Sequence, residues 1–242
     1  MDVLIFNNKE DLFEELAARY VEEINKNPKI KLGLATGSTP VPLYEALIKD
    51  HKENGTSYRE VQTFNLDEYI GLEAGHEQSY RTFMNNIFFK HIDIDLANTH
   101  IPSGNASDLA LEAFNYDKLL EANQIDIQLL GIGTNAHIGF NEPGSKFDSK
   151  TIIVDLAEET RVANERFFNS IDDVPTKAIT MGIGSIMQAI KIILVATGKA
   201  KAEAIRNTIE GPISTNVPAS ILQTHKNVEI YLDKEAASLL SK

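Results

Sequence analysis

Short apolar runs alternate with helix-period segments along nearly the whole of this chain, and that alternation restricts the possible folds more than any other feature. Residues 3–6 read as a strand, and Phe13, Leu16, Ala17, Tyr20, Val21 and Ile24 then recur at helical spacing. Asn8 stands where an N-cap belongs, with Glu10 and Asp11 in the first turn, where the helix dipole favours acidic groups. The pattern repeats, with strands expected over 30–35, 61–65, 125–130, 178–181, 192–196 and 228–232. Helices are expected over 43–49, 79–90, 109–122 and 199–209, and a short one after the last strand. Pro40 falls near the start of the second helix, where proline is tolerated. Strand–helix alternation of this kind predicts an α/β chain: a Rossmann-like open, mostly parallel sheet with helices on both faces. No linker interrupts it, so residues 1–242 are read as a single domain.

In such sheets ligands lie beyond the carboxyl ends of the strands, so the loops that follow strands are where chemistry is expected. The first informative loop is Ala35, Thr36, Gly37, Ser38, Thr39 and Pro40. Gly37 allows close backbone approach, and two hydroxyls precede free helix N–H groups, a combination suited to an anion such as phosphate. Ser38 or Thr39 acting only as a helix N-cap accounts for these residues equally well. No Walker loop is present, because no lysine follows Gly37 at the required spacing.

The second loop carries Asp67 and Glu68 just past a strand. A carboxylate there is placed to act as a general base on a bound sugar. The plainer alternative, that Asp67 caps a turn and Glu68 faces solvent, has the greater weight on sequence alone.

The third loop runs from Gly131 to Gly144. Its first six residues match a dinucleotide-binding glycine pattern, which requires a helix to open at the loop. Gly139, Pro143 and Gly144 argue against that helix, so the nucleotide reading is set aside. His137 can move protons near neutral pH, and Asn135 and Glu142 stand close enough in sequence to orient it or tune its basicity. A structural histidine is the competing account. One histidine and one glutamate do not make a zinc set, and His91, His100 and His225 form no ligand pattern; no metal or cofactor is expected.

Asp plus Glu total 35 against 23 Lys plus Arg, a net charge of −12, which disfavours nucleic acid as a partner. The chain has no cysteine, which excludes thiolate catalysis and disulfides and fits a cytoplasmic protein. The first residues lack a signal-peptide pattern, and no apolar stretch reaches membrane-spanning length. Oligomeric state stays open.

Residues 64–69, 131–144 and 160–168, in that order, together resemble the glucosamine-6-phosphate deaminases, and residues 35–40 match that family's phosphate loop. The likeness runs from Val3 to about Leu232. It implies conversion of glucosamine 6-phosphate to fructose 6-phosphate and ammonia, with no cofactor. It implies that Asp67 is the base that moves the C2 proton and that His137 is the ring-opening acid–base group, with Asn135 and Glu142 as its relay. By the same resemblance Thr36, Gly37, Ser38, Thr39, Gly131, Arg166 and Lys201 contact the sugar phosphate, and residues of about 145–175 cover the site as a lid. Four departures stand out. Asn135 replaces an aspartate of some relatives, and Ala136 replaces a glycine of many; a positive φ there would strain alanine. Ile152 and Val154 occupy positions where longer, allosteric relatives carry basic effector ligands, and the C-terminal extension of those relatives is absent, so no activation by an N-acetyl-amino-sugar phosphate is expected.

Overall fold

The computed structural model describes residues 1–73 and 75–241. In chain order its elements are β1 (Asp2–Phe6), α1 (Lys9–Lys26), β2 (Lys31–Leu34), α2 (Val41–Asn54), β3 (Gln62–Asn65), β4 (Asp67–Tyr69), α3 (Tyr80–Ile87), β5 (Thr99–His100) and α4 (Leu109–Ala122). They continue with β6 (Ile127–Leu130), β7 (Ile152–Asp155), α5 (Glu158–Glu165), β8 (Lys177–Thr180), α6 (Ile183–Ile186), β9 (Lys191–Ala196), α7 (Ala202–Ile209) and β10 (Val228–Asp233).

Seven strands form one sheet in the order β1-β10-β9-β6-β2-β3-β5, and every neighbouring pair is parallel. From β2 the chain steps outward to β3 and β5, then returns to β6 on the other side of β2 and steps away to β9 and β10. Right-handed crossovers therefore send α1 and α2 to one face of the sheet and α4 and α7 to the other. The direction of winding reverses between β2 and β6, so the loops leaving those strands diverge and open a crevice at their carboxyl ends.

Local chemistry explains the elements. The Asn8 side chain accepts the Asp11 N–H at 2.8 Å and starts α1, whose Leu12, Phe13, Leu16, Ala17, Tyr20 and Ile24 are buried. Strands β6 and β9 lie inside the sheet and are buried on both faces, hence their continuous apolar runs. Gln128 is the polar exception in β6. Its side chain lies over Gly33 of β2, where a Cβ would come within 2.1 Å of its Oε1.

Three expectations need correction. The strand at 178–181 exists, as β8, but in a separate antiparallel sheet ordered β4-β8-β7. Its partners β4 and β7, and β5 of the main sheet, are two to four residues long, too short for a period to register in sequence. The helices expected over 79–90 and 199–209 both include a 3-10 turn, Phe89–His91 after α3 and Lys199–Lys201 before α7. After β10 the chain closes in turns rather than a helix, with Asp233 collecting the freed backbone: its side chain accepts the Ala236 N–H and its carbonyl the Ala237 N–H.

Candidate active site

The site assembles from loops leaving four consecutive strands of the sheet, β9, β6, β2 and β3. After β2, Gly37 adopts φ +87° and turns the chain, and the Tyr44 hydroxyl donates to the Ala35 carbonyl at 2.6 Å to fix the loop. Pro40 occupies the N-cap position of α2, and no side chain caps that helix. The N-cap alternative for Ser38 and Thr39 is thereby overturned, and their hydroxyls stand beside an uncapped helix start. Thr36 meets the Tyr80 hydroxyl, and Thr39 shares the wall of one narrow crevice with Gly131 at the end of β6.

After β3, Asp67 opens β4 and is only 6% exposed. Burial, with Glu68 adding repulsion, pushes its carboxyl up to about 8. Glu68 has a different task from the solvent exposure expected of it. Its Oε1 accepts the N–H groups of Tyr69 at 2.9 Å and Tyr80 at 2.8 Å, and its Oε2 accepts that of Arg81 at 2.9 Å. Glu68 thus seats the start of α3 and holds the strand that carries Asp67. Tyr69, Tyr80 and Tyr116 surround Asp67, and the Tyr116 hydroxyl donates to the Asn65 carbonyl at 2.7 Å.

The loop after β6 passes directly alongside. A Cβ at Gly139, φ +57°, would lie 3.5 Å from Oδ2 of Asp67 and 3.1 Å from Oγ1 of Thr180, the residue paired with Asp67 across the small sheet. The Thr180 hydroxyl accepts the Phe140 N–H at 3.2 Å, and the buried Asn141 amide donates to Ile138 and Met181 carbonyls. These bonds hold the histidine loop against Asp67. Within it, Nδ1 of His137 lies 3.4 Å from Oε1 of Glu142, within ion-pair reach but without hydrogen-bond geometry, and that buried nitrogen has no hydrogen-bond partner among the described residues. Oε2 of Glu142 accepts the Asn135 amide at 2.7 Å, and Asn135 Oδ1 accepts the backbone N–H of His137 at 3.2 Å. Burial works against the charge on Glu142. The His137 ring, the Thr160 hydroxyl and the Asn135 amide together outweigh it and hold the carboxyl down at about 2.

Two backbone features shape this loop. Ala136 has φ +65° and is buried, the left-handed conformation that strains a residue with a Cβ. A Cβ at Gly133 would come within 2.4 Å of the His137 ring, so the ring rests on bare backbone there.

Lys201 comes from the loop after β9. Gly198, φ +86°, begins that turn, and both oxygens of Asp233 accept its N–H at 2.9–3.0 Å. Burial lowers the Lys201 pKa, and the nearby Arg166 lowers it further. Two cations from distant parts of the chain therefore face one region. Arg166 is exposed, its guanidinium 4.7 Å over the Phe167 ring.

Sequence reasoning missed Thr160, which donates to Oε1 of Glu142 at 2.6 Å, and the tyrosines around Asp67. Thr160 lay within the third motif without a role. A roomier cavity of about 490 Å³ lies elsewhere, between α4 and α6. Its buried carboxylate, Asp117, is occupied by Thr151 and Ser185 and braces β7 and α6 on α4. Among the described residues, no cluster of three or more His, Asp or Glu could hold a metal ion, and no helix is long and apolar enough to cross a membrane.

The family model described as glucosamine-6-phosphate isomerases/6-phosphogluconolactonase matches residues 7–231. The chain belongs to this family. Within it, the chain is 51% identical to the glucosamine-6-phosphate deaminase of Shouchella clausii, over all of this chain and 98% of that protein. It is 52% identical to the enzyme of the same name from Thermoanaerobacter sp., over 99% of this chain and 95% of that one. A solved monomeric glucosamine-6-phosphate deaminase superposes with a TM-score of 0.96 at 47% identity, covering 99% of this chain and all of that one. The 6-phosphogluconolactonase of Trypanosoma brucei, at 21% identity and a TM-score of 0.80 over 99% of this chain and 98% of that one, shares the fold.

Proposed function

We propose that this chain isomerises and deaminates glucosamine 6-phosphate, giving fructose 6-phosphate and ammonia, in amino-sugar catabolism. The observation that carries the reading is the placement of two acid–base stations side by side, a buried carboxylate at Asp67 and a histidine–carboxylate pair at His137 and Glu142. Hydrolysis of a lactone has no use for a base at C2.

The phosphate is held by the Gly37–Thr39 loop, Arg166 and Lys201, with Thr36 and Gly131 lining the sugar. Arg166 offers two parallel donors and Lys201 a point charge. Anchoring there places C2 beside Asp67 and lowers the entropic cost of reaction. His137, oriented by Glu142 and Asn135, returns a proton to the ring oxygen as it takes one from the anomeric hydroxyl, and the ring opens. Asp67 then removes the C2 proton, made acidic by the C1 aldehyde, and returns it to C1 of the enolamine, while O1 takes up a proton given up by the C2 ammonium, leaving a protonated imine at C2. Water adds to the resulting imine at C2, and ammonia leaves. Positioned groups of this kind contribute about 10²–10⁴-fold each. Residues 145–175 form the lid, and every group assigned comes from one chain. Ile152 and Val154 supply no cation for a phosphorylated effector, so an N-acetyl-amino-sugar phosphate leaves the saturation curve unchanged.

The test is to incubate the purified protein with glucosamine 6-phosphate and measure ammonia and fructose 6-phosphate together. Equal amounts of both are expected. Release of neither, with hydrolysis of 6-phosphogluconolactone instead, would overturn the reading.

A further inference from the structure

Residues 157–175 leave and re-enter the body through a narrow neck. The Leu156 N–H donates to the Thr176 carbonyl at 2.8 Å, and Asp155 pairs with Lys177 across β7 and β8. Inside this excursion Arg161 binds the Ile171 and Val174 carbonyls and Glu158, so it is braced as a unit. Phe168 packs edge-on against Tyr69 at 5.9 Å and stacks on His76 at 6.3 Å. Among the described residues, one hydrogen bond ties the interior of the excursion to the body: the buried Thr160 hydroxyl to Oε1 of Glu142, at 2.6 Å. That is the same oxygen that faces Nδ1 of His137 at 3.4 Å.

We infer that Thr160 is a positioning residue for ring opening, and that through its hydroxyl the seating of the 157–175 excursion is transmitted to the Glu142–His137 pair. This rests on the reading of that pair as the ring-opening relay. A carboxylate can rotate about its last bond, and two donors on two oxygens are needed to stop it. Asn135 holds Oε2 from the loop's own side, and Thr160 holds Oε1 from the excursion. With both in place Oε1 is aimed at the histidine. With the excursion lifted, Glu142 keeps only Asn135, and Oε1 is free to turn away from the imidazole. Ring opening is then best supported only while the site is covered, which excludes water during the later proton transfer at C2.

The experiment compares Thr160→Val, which keeps the shape and removes the donor, with Thr160→Ser, which keeps the donor. Both are assayed with glucosamine 6-phosphate across pH. The groups facing Glu142 are His137 and Asn135 from its own loop and Thr160 from α5. Loss of the hydroxyl removes one of the influences that hold the Glu142 carboxyl down, yet it remains ionised near neutral pH, so kcat is lowered across the whole profile rather than at one limb. For Thr160→Val, kcat falls roughly tenfold while KM stays near the wild-type value, and Thr160→Ser restores both rate and profile. A valine variant with unchanged kcat and profile overturns the inference. So does a raised KM with unchanged kcat, which would make Thr160 a mere anchor, or a serine variant as impaired as the valine one. Glu142→Gln and His137→Gln belong in the same series. If these two turn over at the wild-type rate, it is the relay reading that has failed.

Discussion

Asp67 holds its proton to about pH 8 in the folded protein, whereas an unfolded chain releases it near 4. Between those values the native state binds more protons than the unfolded one, so stability drains away as pH rises through that interval. This is the cost of keeping a carboxylate dry beside Glu68. An ammonium arriving at C2 of a bound amino sugar would favour the ionised form and so prepare the base as the substrate binds. Asp67→Asn is therefore expected to raise the Tm, and by clearly more at about pH 8.5 than at about pH 5, where the native carboxyl is already neutral. Thermal melts at the two pH values check this, and an equal gain at both would contradict the burial argument. Glu142 is the opposite case. Its carboxyl, held down at about 2, stabilises the fold above the unfolded value and loses that contribution only as pH falls toward 2. It stays charged wherever the protein works. The carboxylates and the histidine were visible in the sequence as residues after strands. Their opposite tuning was not, because it depends on burial and on donors as remote as Thr160.

At the scale of elements, the histidine loop depends on where it lacks side chains. The ring of His137 lies against Gly133, and the loop passes Asp67 at Gly139. Gly133→Ala would place a methyl in contact with the imidazole and push it away from Glu142. The expected result is a loss of kcat of at least about tenfold with KM little changed, read from steady-state kinetics; a variant with wild-type kcat would show that the ring has room to spare. α1 and α4 were legible from their length and apolar residues, and β6 and β9 from continuous apolar runs that extend beyond or fill the strand. The small sheet was not. β4 has three residues and owes its position to Glu68 capping α3 and to pairing with β8, neither of which leaves a local pattern. That the glycine-rich loop opens no helix was legible, from Gly139, Pro143 and Gly144.

At the scale of the whole molecule, strand order explains the site. β9, β6, β2 and β3 are neighbours although they are far apart in sequence, so their loops converge at one end of the sheet. Lys201 reaches the region from β9 and Arg166 from the excursion after β7, and their mutual repulsion is built in before any anion arrives. A phosphate bound there, as proposed, would relieve it. Lys201→Ala should raise KM roughly 10–100-fold, the loss of a charge-assisted hydrogen bond, with a smaller effect on kcat. An unchanged KM would remove Lys201 from the phosphate site. The sequence implied both cations only through family likeness, since nothing local distinguishes Arg166 from other surface arginines.

The central claim is that a single buried carboxylate at Asp67 carries the chemistry at C2 of a sugar anchored elsewhere. It is tested most directly by comparing ammonia release from glucosamine 6-phosphate by the wild-type protein and by Asp67→Asn, with substrate binding measured for both. Release by the wild type and a fall of at least about a hundredfold in the variant, with binding retained, is the predicted result. Ammonia released by the variant at a rate near that of the wild type would contradict it.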